Sequence, residues 1–171
     1  MSGPVCVLVG PPGAGKTTVG EALAGRLGVA FRDTDRDIEA ERGTPITDIF
    51  VYEGEEAFRD YERAAVAQAL AEHDGVLALG GGAVLDAATR EALRGLRVVF
   101  LSVELADSAK RVGLARDRPV LMANPRAMLA GLLEARRPLY EEVATITVHT
   151  DDRDPESVID EVAAALGAAR S

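Results

Sequence analysis

Gly10-Pro11-Pro12-Gly13-Ala14-Gly15-Lys16-Thr17 follows the apolar run Val5 to Val9 and opens a stretch with helical spacing, Lys16 to Leu27. It matches G-x-x-x-x-G-K-[ST] at every fixed position, and a strand before and a helix after are the flanks that motif requires. The chemistry lies in the backbone. Glycines let successive N–H groups face a phosphate, and the helix start adds its partial positive charge. Gly13, Ala14, Gly15 and Thr18 are therefore expected to cradle a nucleoside triphosphate. Lys16 is expected to reach its β- and γ-phosphates, and the Thr17 hydroxyl to coordinate Mg²⁺.

Working outward, short apolar runs recur at Val29 to Phe31, Val76 to Leu79, Val98 to Leu101 and Thr145 to Val148, each followed by a longer stretch with helical spacing. That alternation predicts an α/β fold with a mainly parallel sheet. The helix ends are marked: Lys16 to Leu27 stops at Gly28, Glu55 to Glu72 stops near Gly75, and Asp154 with Pro155 supplies a cap and first position for the last helix. No fixed-period repeat and no long Gly, Ser or Pro linker interrupts the chain, so residues 1–171 read as one domain. The least regular stretch, Gly113 to Pro125, contains Arg116, Asp117, Arg118, Pro119 and Asn124. It reads either as a solvated loop or as a lid over a ligand.

At 171 residues, with 47% apolar and 27% charged residues, the chain is far from the composition of disordered or fibrous proteins. Its formal net charge of −9 opposes nucleic acid and anionic membranes, so an anionic ligand must be drawn in by local cations. The single cysteine, Cys6, sits in an apolar run and reads as a buried structural thiol. With neither a signal-like start nor an apolar window near ~18 residues, the expected location is the cytoplasm.

A phosphate loop alone leaves GTPases, motor ATPases and small-molecule kinases open, and the short chain favours a minimal phosphotransferase only by analogy. The acceptor side must decide. Asp33-Thr34-Asp35 follows the second strand, and on an extended chain residues two apart point the same way, roughly 7 Å apart. Asp33 then suits the Mg²⁺ shell, and Asp35 suits an acceptor hydroxyl whose proton it takes late. The plainer reading is that both cap the next helix. Gly80-Gly81-Gly82 ends the third strand, where ligands of parallel sheets lie, and offers bare backbone N–H groups. Arg59 and Arg136 converging there would suit a carboxylate. Taken singly, Arg59 on a helix is a solvated surface residue, and Phe50 and Phe58 are core residues; together they outline a mixed apolar and cationic pocket.

The ordered set, the phosphate loop, then Asp33-Thr34-Asp35, Phe58-Arg59, Leu79-Gly-Gly-Gly-Ala83, Arg118-Pro119 and Arg136-Arg-Pro-Leu-Tyr140, resembles the shikimate kinase family from Val5 to about Leu166. The resemblance implies a three-layer P-loop kinase fold of the nucleoside-monophosphate-kinase type. It would have a five-stranded parallel sheet flanked by helices and a lid at about 113–125. It implies ATP and shikimate as substrates with Mg²⁺ as cofactor, and shikimate 3-phosphate as product. Asp35, Phe50, Phe58, Arg59, Gly80, Gly81, Gly82 and Arg136 would hold shikimate, with Asp35 on the ring hydroxyls and the arginines on the carboxylate. Arg118 would close onto the transferring phosphate, with Arg116 able to share that role, and Arg111 and Arg153 with Pro155 would flank the adenine. Pro11-Pro12 and Ala57 depart modestly from the family pattern. The enzyme is expected to act as a monomer. Two other readings stand beside it: a kinase for another small hydroxy acid such as gluconate, and a nucleotide-binding regulatory module without turnover.

Overall fold

The computed structural model describes residues 3–103 and 125–170. Within them a five-stranded, all-parallel sheet has the order β2-β3-β1-β4-β5, built from β1 (Cys6–Val9), β2 (Phe31–Asp33), β3 (Val76–Ala78), β4 (Val98–Ser102) and β5 (Ile146–His149). The described residues also form seven α-helices: α1 (Lys16–Leu27), α2 (Thr34–Arg42), α3 (Ile46–Tyr52), α4 (Glu55–Glu72), α5 (Ala87–Ala92), α6 (Pro125–Val143) and α7 (Pro155–Arg170). The expected α/β architecture is present. Arg111, Arg116 and Arg118, and with them the proposed lid up to residue 124, lie outside the described residues.

The central strands read as unbroken apolar runs because both faces are covered. On one face Leu8, Val99 and Leu101 pack under Val19 and Leu23 of α1 and Val158 and Val162 of α7. On the other, Val7, Leu77 and Phe100 meet Val66 and Ala69 of α4, Leu93 and Tyr140. A smaller cluster of Ile38, Ile49 and Phe58 joins α2, α3 and α4 beside the sheet. Cys6 is fully buried, and burial pushes its thiol up to about 12, so it is a structural residue as its apolar setting implied.

One boundary differs from the sequence reading: the second strand is Phe31–Asp33, not Val29 to Phe31. Helix α1 ends in a Schellman motif, with Gly28 at φ 71° and the Gly28 and Val29 amides donating to the carbonyls of Gly25 and Ala24. The cap consumes Val29, so pairing starts two residues later. Bare Gly20 then lets α1 lie close over the new strand, because a Cβ there would sit 2.3 Å from the Phe31 ring.

Candidate active site

The phosphate loop, Asp33, Asp35 and Gly80 to Gly82 stand at the carboxyl ends of the strands. Between β1 and α1 the phosphate loop turns through Gly10 (φ 153°), Gly13 (φ 83°) and Gly15 (φ 91°), backbone that side chains other than hydrogen resist. Gly10 is also a close approach, since a Cβ would meet the Leu101 carbonyl oxygen at 2.6 Å. Gly15 sits at the N-cap of α1, so the amides of the helix's first turn begin at the loop. The Lys16 ammonium lies across it, donating to the Gly10 and Pro11 carbonyls at 2.7 and 3.1 Å. This is a glycine-rich backbone turn with one cation held on it, suited to a polyphosphate.

Asp33 and Asp35 do not sit on an extended chain, which corrects the geometry expected of them. The strand stops at Asp33, and Thr34 already belongs to α2. Asp33 is its N-cap: Oδ1 accepts from the Asp35 amide at 2.9 Å, while Oδ2 accepts from the Thr17 hydroxyl at 3.1 Å. Capping and site duties thus fall on two oxygens of one carboxylate. Thr17 and Asp33 bring two hard oxygen donors together at the mouth of the loop, a donor set that fits Mg²⁺ with phosphate oxygens and water completing its shell.

Asp35, one position into the helix, turns instead toward the third strand's end. A Cβ on Gly80 would lie 2.5 Å from Asp35 Oδ1 and 2.9 Å from Glu62 Oε2, both buried atoms. On Gly81 it would meet Pro12 of the phosphate loop at 3.1 Å, and on Gly82 the Arg59 guanidinium at 2.4 Å. Thr34 fixes the turn by accepting from the Gly80 amide at 3.3 Å. Three successive glycines therefore receive three different neighbours, which a plain turn would not require.

Arg59 is not a solvated helix residue. Its side chain is 17% exposed and donates through Nη1 to buried Glu62 at 2.6 Å. The ring centres of Phe58 and Phe50 lie 5.2 and 6.0 Å from its guanidinium carbon and 4.8 Å from each other. Phe58 is buried, and Phe50 is partly buried and packs against the same cluster. On α6, Arg136 is buried at 8% exposure, one turn before Tyr140, whose hydroxyl donates to the Gly81 carbonyl at 2.6 Å. Burial pushes the Tyr140 phenol up to about 12, against the downward pull of Arg136 and Arg59. Arg59 thus lies beside Gly82, and Arg136 lies one turn from the tyrosine that holds Gly81. Beyond β5, Arg153 is pinned to the His149 carbonyl, Ser157 and Glu161, Asp154 caps α7, and Pro155 is its first residue.

Glu62, Thr34 and Tyr140 also touch these residues; the sequence reading gave none of them a role, although Thr34 and Tyr140 stood inside its motifs. The i, i+3 spacing of Arg59 and Glu62 was the one available signal. Tyr140 and Thr34 meet Gly81 and Gly80 only through tertiary packing.

A phosphate loop beside a carboxylate, one buried arginine and one partly buried arginine at the carboxyl ends of a parallel sheet defines a P-loop kinase of a small acidic alcohol. The family model described as "Shikimate kinase" matches residues 12–167. The shikimate kinase of Salinispora tropica is 66% identical over 163 residues, 95% of this chain and 98% of that protein, and that of Salinispora arenicola 64% over 165 residues, 96% and 99%. The solved shikimate kinase of Acinetobacter baumannii, in complex with shikimate, superposes with TM-score 0.92 at 38% identity, covering 97% of this chain and 93% of that one. The chain belongs to the shikimate kinase family and is a phosphotransferase with an alcohol acceptor.

Proposed function

We propose that this domain, residues 1–171, phosphorylates the 3-hydroxyl of shikimate at the junction of the phosphate loop with Gly80 to Gly82. The observation that carries the reading is that junction, where Asp35, Arg59 and Pro12 each occupy the space beside one glycine. Lys16 leaves its loop carbonyls for the β- and γ-phosphates of ATP and stabilises the charge that grows there in transfer. Gly13 to Thr18 supply amides and hydroxyls to the phosphates. Thr17 and Asp33 would hold Mg²⁺, which neutralises phosphate charge when bound.

Asp35 hydrogen-bonds the acceptor hydroxyl and accepts its proton as the bond to phosphorus forms. Arg59 and Arg136, already desolvated, pair with the ring carboxylate and so fix the hydroxyl opposite the phosphate; holding reactants in line is most of what phosphoryl transfer demands. Phe50 and Phe58 wall the ring. Arg118 of the 113–125 segment closes onto the transferring phosphate, and Arg111, Arg153 and Pro155 flank the adenine.

The cytoplasm is the proposed location; no helix among the described residues is long and apolar enough to cross a membrane, and the one cysteine is buried. A monomer is the proposed state. In a coupled assay with ATP and Mg²⁺, ADP release should match the shikimate added. Release without shikimate, or with gluconate in its place, would refute the reading.

A further inference from the structure

Arg59 carries two carboxylates from its own helix, and they differ in kind. Glu62, one turn on, accepts from Nη1 at 2.6 Å with a side chain 5% exposed. Glu55, one turn back, spans Nε and Nη2 with the single oxygen Oε2, at 3.4 and 3.2 Å, and is 55% exposed. A carboxylate grips a guanidinium through two parallel N–H groups, either the side fork of Nε and Nη2 or the end fork of Nη1 and Nη2. Glu55 spans the first fork, and Nη1 of the second already serves Glu62.

Turning the guanidinium to offer another edge is obstructed. Gly82 crowds it, with the Cβ position 2.4 Å from Nη1 and 2.6 Å from Nη2, and the Phe58 ring lies against it. Glu62 is the harder to displace, since its contact is the shorter and its side chain the more deeply buried. Displacing Glu55 is easy. It is already half in water, and it sits in the first turn of α4, where the helix dipole favours a carboxylate without any partner.

We propose that Glu55 is a built-in competitor for the acid substrate: the ring carboxylate wins the side fork of Arg59 only by ejecting the Glu55 carboxylate. Glu55 therefore sets the affinity for the acid. It does so without touching the reacting atoms, so its effect falls on KM rather than on kcat. The inference rests on Arg59 as a reader of the substrate carboxylate.

The test is steady-state kinetics of the whole protein with shikimate varied at saturating ATP and Mg²⁺. Glu55→Gln should lower the KM for shikimate about two- to fivefold, the range that half-exposed ion pairs support. A variant that merely damaged the helix would raise it. Glu55→Asp keeps the charge but shortens the reach, and should lower KM in the same direction. Glu56→Gln removes an equal charge from the same turn and should leave KM near its original value. An unchanged or raised KM in Glu55→Gln overturns the proposal, as does an equal fall in Glu56→Gln, which would assign the effect to net charge. Arg59→Ala separates the two levels. If it leaves KM unchanged, the reading of Arg59 itself fails; if it raises KM while Glu55→Gln does not lower it, only the competitor fails.

Discussion

Replacing Gly82 by alanine adds one methyl group, and the structure says where the cost falls. The backbone of Gly82, at φ −99° and ψ 4°, is open to alanine, so no strain arises there. The new Cβ would lie 2.4, 2.6 and 2.7 Å from Nη1, Nη2 and Cζ of Arg59, inside any real contact. What yields is the end of a flexible side chain, so the fold should lose little, with a Tm shift below about 3 °C on a scale where ~1 kcal/mol is roughly 2–4 °C at this size. The substrate loses more. A displaced guanidinium forfeits charge-assisted hydrogen bonds of about 1.5–3 kcal/mol, or roughly ten- to hundredfold in the KM for shikimate. The KM for ATP should stay within about twofold. Gly75→Ala is the counterpart: its Cβ would meet the Ala30 carbonyl oxygen at 2.1 Å, a backbone atom that cannot swing aside, so Tm should fall sharply. Coupled assays and thermal melts on both variants check the contrast. If Gly82→Ala binds shikimate as the parent does, Arg59 does not read the acid from beside Gly82; if it melts like Gly75→Ala, the contact is structural.

Lys16→Met should cut ADP release at least about a hundredfold, because the charge facing the transferring phosphate is gone, and near-normal turnover would remove Lys16 from the mechanism. Asp35→Asn should lower kcat about 10²- to 10⁴-fold while ATP binding, read by titration, changes little; equal losses in both would make Asp35 a structural residue of the loop. Alkaline stability has a set sign: the buried Cys6 thiol rises from 9.0 and the Tyr140 phenol from 10.0, each to about 12, so above pH 9 the unfolded chain sheds protons that the folded one keeps. Stability should be full below pH 9 and decline steadily toward pH 12 in denaturant titrations, and a flat or rising profile would contradict the burial of both groups. Tyr140→Phe removes the bond to the Gly81 carbonyl, about 0.5–1.5 kcal/mol, and should make that decline shallower.

The donor half was legible because it is local. The phosphate loop, the end of α1 at Gly28 and the Asp154 cap of α7 each depend on residues within a few positions of one another, and each stands where the spacing put it. On the acceptor side the motifs were legible but their geometry was not. Asp33-Thr34-Asp35 looked like strand because it follows apolar residues, yet Asp33 is a strong N-cap and its own carboxylate ends the strand. Arg59 looked exposed because a helix pattern cannot reveal that Gly82, reached through tertiary packing, lets its head down onto the backbone, where Glu62 of the same helix holds it. Glu62 was missed for the same reason. A buried glutamate on an otherwise polar helix face is announced only by the arginine three residues before it.

Gly80-Gly81-Gly82 joins the two halves, and each glycine does so in its own way. Gly80 leaves room for Asp35 and Glu62, so the carboxylate proposed to meet the hydroxyl is placed against the end of β3. Gly81 lies against Pro12 of the phosphate loop, and its carbonyl accepts from Tyr140, one turn from Arg136. Gly82 lets the Arg59 head down onto the backbone. A side chain at any of the three would push apart groups whose separation decides whether hydroxyl and phosphate are in line, and a displacement of about 1 Å can cost a hundredfold in rate. The stiffness of Pro11-Pro12 then has a use. Pro12 is the donor-side surface that Gly81 abuts, so a rigid loop there holds the nucleotide cradle and the acid pocket at a fixed distance, with the remaining freedom left to Lys16 and Glu55.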